Sequence, residues 1–139
     1  MENEFCPIAD FFGEACAVRV IKDGKESFYT SGSEEFSAIV RAVGEMFADA
    51  RQMPAFGVSI DKLTREEMQK GVWTEFLYDA ERICWNMPFA SLLFAVKDEY
   101  RGVNVVRKTE EKYQGRCFYV DLGEKDMSAF AAALAKIGK

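Results

Sequence analysis

Between residues 71 and 122 the chain repeats one pattern: VWTEFLYD, SLLFAVK, VNVVRK and RCFYVDL are aromatic and β-branched runs separated by turn-forming or charged stretches. Such residues suit a pleated, half-buried surface, and four runs this close in sequence pair most simply as an antiparallel meander. A meander constrains the rest of the chain. At least one face of the sheet must be covered, and successive connections must alternate between its two ends.

The remaining segments supply the cover and further strands. ACAVRVI, at 15–21, is apolar on both alternating faces apart from Arg19, as expected of a strand covered on two sides. Asp23-Gly24 follows it and readily takes the positive φ angles of a tight turn, so residues 26–31 are expected to return as the second strand of a hairpin. Phe36, Ile39, Val40, Val43 and Phe47 then recur at helical spacing behind Ser33, a suitable cap, with Glu34 and Glu35 at the positive end of the helix dipole. Met127, Phe130, Ala131, Leu134 and Ile137 form a second stripe.

The expected fold is therefore α+β: one domain over residues 1–139, mainly antiparallel, with an N-terminal hairpin and a C-terminal four-strand meander making five to seven strands. Helices at about 34–50 and 126–137 pack on it. Shorter expectations are a helix carrying Phe5, Ile8, Ala9 and Phe12, a strand at 56–60, and a one- or two-turn helix between Thr64 and Gly71. With 12 Phe, 5 Tyr and 2 Trp in 139 residues, a substantial core is expected.

The chain contains no histidine, which removes imidazole as general base and the histidine-based zinc sites. The glycines form neither GxGxxG nor GxxxxGK[ST], so no dinucleotide or P-loop cradle is indicated. The cysteines at 6, 16, 84 and 117 form no CxxC pair. Cys16 and Cys117 read as small buried hydrophobes in strands, and Cys84 as a loop residue beside Arg82. No metal or cofactor is expected.

A net charge of −5 opposes general nucleic-acid binding, although residues 97–116 hold six basic side chains against four acidic ones. The start MENEFCPIADFF is acidic where a signal peptide is basic, and no apolar run reaches the eighteen or so residues needed to cross a bilayer, so a reduced, cytoplasmic protein without membrane contact is expected. Aromatics such as Phe118 and Tyr119 read as core residues, not as a base-stacking surface.

Two functional readings follow. Loops at 80–88 and 109–115 should project from the same end of the meander, bringing Arg82, Trp85, Lys112 and Tyr113 together as a binding patch of the residue types that dominate protein interfaces. This suits a non-catalytic protein-binding or inhibitor-like module of the antitoxin or immunity type, acidic enough to neutralise a basic partner, with a homodimer as a further expectation. The alternative is a small-molecule-binding domain or minor enzyme using Glu75, Asp79 or Cys84 with Arg116. Glu75, Asp79 and Glu81 could supply the two acids of a glycosidase-like hydrolase, but they read more simply as solvated surface.

Overall fold

The Asp23-Gly24 turn organises the first part of the molecule. In a computed structural model, which describes residues 12–47, 51–53, 61–84, 87–96, 102–109, 112–113, 118–122 and 127–137, both residues take positive φ, 50° and 86°. They close a hairpin of β1 (Ala17–Lys22) and β2 (Lys25–Thr30), with Lys22 opposite Lys25. The turn is also tied to the start of the meander: Asp23 N–H donates to the Gly71 carbonyl and Gly71 N–H donates to Asp23 Oδ1, each at 2.8 Å.

Beyond the hairpin come β3 (Arg51–Met53), β4 (Val72–Cys84), β5 (Met87–Val96), β6 (Gly102–Thr109), β7 (Lys112–Tyr113) and β8 (Phe118–Asp121). Among the described residues the sheet runs β2-β1-β4-β5-β6-β8-β3, and β7 pairs with the end of β6. All pairings are antiparallel. The meander is β4-β5-β6-β8, and the N-terminal hairpin extends it by pairing β1 with β4.

Among the described residues three helices with both ends in view belong to the α+β fold: α1 (Glu34–Met46), α2 (Asp61–Glu67) and α3 (Ser128–Ile137). Ser33 caps α1, its Oγ accepting the Phe36 N–H at 3.1 Å. α1 buries Phe36, Ile39, Val43 and Met46, and α3 buries Phe130 and Leu134, so the two apolar stripes meet one face of the sheet and each other. Phe12 lies at the centre of this layer, with ring centroids 4.7 Å from Phe76 and 5.1 Å from Phe47. On the opposite face Ile21, Met68, Leu93 and Val106 form a smaller apolar cluster, with Trp73 against it.

Several expectations are corrected. Of the loop expected at 80–88, residues 80–84 and 87–88 are strand: β4 continues to Cys84 and β5 begins at Met87. The reason is a bulge, since Leu77 opposes Ser91 while Arg82 opposes Phe89, five steps along β4 against two along β5. Cys84 is thus the last residue of a strand. Cys16 is exposed and precedes β1 instead of lying buried within it. α2 starts one turn before Thr64, so Thr64 is a buried residue within the helix and not its start, although Gly71 at φ 74° follows the helix much as expected. The expected helix residues Phe5, Ile8 and Ala9, the strand at 56–60, and Cys6 and Cys117 lie outside the described residues.

Candidate functional site

The end of the sheet that should gather the binding patch is formed as the connectivity requires. β4 and β6 run in the same direction on either side of β5, so their C-terminal ends share one end of the sheet. Arg107 on β6 closes this end by donating from Nη1 to the Pro88 carbonyl at 2.7 Å. The backbones of Lys112 and Tyr113 pair there with Thr109 and Lys108. Trp85 lies outside the described residues.

Arg82 is held by its own chain. Its Nε donates to Glu14 Oε1 at 3.0 Å, its Nη1 to the Ala80 carbonyl at 2.8 Å and to Asp79 Oδ1 at 3.4 Å, and its guanidinium sits over the Tyr78 ring. The hydrogen bond to Glu14, with a further contribution from Asp79, raises its pKa against an opposing effect of desolvation. Ile83 beside it is 66% exposed.

The carboxylates of the enzyme reading are separated. Glu75, expected at the solvated surface, is 1% exposed. Strand pairing places it opposite both Arg19 and Leu93, on the face away from α1 and α3. Arg19 Nη2 approaches Glu75 Oε1 at 2.6 Å, and Ser91 Oγ donates to Glu75 Oε2 at 2.7 Å. Asp79 faces solvent and pairs with Arg82 instead. Arg116 lies outside the described residues. Burial of Glu75 is sustained because a charge taken from water needs a counter-charge and hydrogen bonds, both of which are present.

A cleft of about 170 Å³ opens between the hairpin and the end of α3, lined by Val20, Lys22, Lys25, Ser27, Tyr29 and neighbouring residues. Its volume falls below the ~300–1,000 Å³ of ordinary small-molecule sites. Lys22, one of its two cations, already donates to the Leu134 carbonyl at 3.3 Å and so caps α3.

The last place is the outer edge of β2. Lys22 and Lys25 flank a two-residue turn and therefore exchange hydrogen bonds, and alternation along β2 then directs the backbone groups of Glu26, Phe28 and Thr30 away from β1. The Thr30 carbonyl follows this parity, turning outward to accept the Ser33 N–H and Oγ–H. No described strand pairs with this edge. Phe28, at its centre, is 58% exposed, and the hairpin register runs through it without a bulge. The sequence signal was a phenylalanine in the polar stretch KESFYT, where the alternation gives it no buried neighbour on β2.

Among the described residues no group of three or more Cys, Asp or Glu could hold a metal ion, and no helix is long and apolar enough to cross a membrane. Comparison with protein-family models, curated proteins and solved structures finds no match for this chain.

Proposed function

We propose that this chain is a non-catalytic protein-binding module that receives an extended strand of its partner along β2. The carrying observation is the combination of outward-facing backbone groups at Glu26 and Phe28 with an exposed aromatic between Ser27 and Tyr29. An edge of this kind provides main-chain hydrogen bonds for affinity and a side-chain contact for specificity. Edge strands are ordinarily protected by a bulge, a proline or charged side chains; β2 has no bulge or proline, carries its charges, Lys25 and Glu26, at its hairpin end and places its aromatic at mid-strand. The acidic balance of the chain, −5, favours an inhibitor-like action on a basic partner.

The test compares two baits, the wild-type chain and Phe28→Lys, in capture of native partners, followed by amide hydrogen exchange on the purified complex. A lysine at an edge opposes strand addition while an exposed position tolerates it. The expected result is a partner held by the wild type and released by Phe28→Lys, with slowed exchange at Glu26 and Phe28 in the complex. Equal retention by both baits, with unchanged exchange along β2, overturns the reading.

A further inference from the structure

We infer that the cleft between the hairpin and the end of α3 binds a small carboxylate with a short apolar body. The site goes beyond the strand-addition reading and does not depend on it. Its volume of about 170 Å³ sets the size of the ligand. A closed apolar cavity of ~150 Å³ holds benzene, so the cleft suits about six or seven non-hydrogen atoms, as in an acid of about four or five carbons.

Alternation along the hairpin decides the chemical class. Val20 lies opposite Ser27 and Lys22 opposite Lys25, so these four residues and Tyr29 share the face toward the helices. Polarity therefore changes along the cleft. The two lysines are at the turn end, Val20 and Ser27 follow, and the half-buried Tyr29 lies beyond them. α3 contributes Leu134 and Ile137 as an apolar wall, and Ile137, like Tyr29, packs against the main core. A ligand that matches this order has an anionic head and an apolar tail, with the Ser27 hydroxyl as a further donor near the head.

Charge selects the sign of the head. In a chain of net charge −5, none of the described residues lining the cleft is acidic. Like charges directly across a ribbon repel, and an anion between Lys22 and Lys25 relieves that repulsion. The carbonyl end of α3 would oppose an anion, but Lys22 Nζ donates to the Leu134 carbonyl at 3.3 Å and covers it. That bond uses one of the three ammonium donors and holds the charge at the cleft. Lys25 is exposed and forms no side-chain hydrogen bond or ion pair among the described residues, so its ammonium is open to a ligand.

Amide NMR titration of the full chain with sodium valerate, at neutral pH and constant ionic strength, reads the site residue by residue. The expected result is saturable shifts confined to 20–29 and 134–137, with a Kd on the order of 1 mM. Each methylene between acetate and valerate should tighten binding by up to about fourfold, the worth of one buried CH₂. Octanoate should gain nothing over hexanoate, because the cleft is then full. Pentanol and pentylamine have the same body without the negative charge, and inorganic phosphate has no body; each should bind at least about tenfold more weakly. Lys25→Glu should weaken valerate about tenfold while its unliganded spectrum keeps the wild-type pattern away from β2, and Lys25→Arg should retain binding.

No saturable shift up to about 50 mM valerate overturns the inference. Acetate or phosphate binding as tightly as valerate also overturns it, because charge alone then suffices. Pentanol or pentylamine binding as tightly does so too, because the lysines then select nothing. Valerate binding that survives Lys25→Glu unchanged, or shifts centred outside the cleft, places the ligand elsewhere and overturns it as well.

Discussion

The two faces of the sheet are made by alternate residues of the same strands, yet they are held together differently. The face toward α1 and α3 is apolar along β4 and β5 apart from the buried Thr74, with Phe76, Tyr78, Leu92 and Phe94 buried beneath helix residues such as Ile39 and Phe130. One residue over, the opposite face carries Leu93 but also Glu75 and Ser91, each at most 2% exposed. Apolar packing is non-directional and accepts any partner of suitable volume, whereas a buried carboxylate accepts only a counter-charge and donors in fixed positions. The helix face therefore supplies most of the stability, and the Glu75 face ties one strand register to another through Arg19.

The largest way to break the helix face is Phe94→Ala. Phe94 is fully buried, 5.7 Å from Phe130 and 5.9 Å from Phe47 between ring centroids. Its removal leaves a cavity and is expected to cost ~3–5 kcal/mol by urea unfolding. A loss under ~1 kcal/mol would show that the aromatic layer is not the principal core.

Glu75→Ala tests the opposite face and should cost less, about 2–3 kcal/mol, short of the ~3–5 kcal/mol of a fully enclosed pair. Arg19 keeps Glu26 at 3.2 Å and its side chain is 17% exposed, so the abandoned cation is partly compensated. Arg19→Met combined with Glu75→Leu should cost less than the two single changes summed, since neither charge is then stranded. Additive losses would mean that the two residues do not act as a pair.

Ser33→Ala returns to the helix face at smaller scale. It removes the acceptor of the Phe36 N–H and should cost about 1 kcal/mol without altering the sheet. Thermal unfolding checks it, and an unchanged midpoint would show that water replaces the cap without loss.

What the sequence disclosed follows the same division. Asp23-Gly24, the Ser33 cap and the stripe Phe36, Ile39, Val43 are local signals, because turn dihedrals and helix periodicity are decided by neighbours in sequence. Glu75 was misread because its burial depends on Arg19, which arrives from a strand more than fifty residues earlier. The end of β4 was misread for a different reason: the bulge after Leu77 breaks period-two alternation, so DAER resembles a charged turn while its backbone continues to Cys84. The β2 edge was hidden for a third reason. Polar alternation in KESFYT shows a strand with little to bury, but only strand order shows that β2 has no outer neighbour among the described strands.

The smallest expected effect sharpens the contrast between the faces most closely, because it uses the same cation. Glu26 and Glu75 both face Arg19, at 3.2 and 2.6 Å, but their side chains are 46% and 1% exposed. Water already solvates Glu26, so replacing it with Gln removes a screened interaction worth at most ~0.5–1 kcal/mol, and in 1 M salt the difference from wild type should nearly vanish. Glu75→Gln keeps the shape and removes only the charge from a site that water does not reach, so its cost should exceed that of Glu26→Gln and persist in the same salt. Parallel urea titrations of the two variants at 0.1 and 1 M salt measure this. Equal losses, or equal salt sensitivity, would place Glu75 in effective contact with solvent and remove the distinction between the two faces.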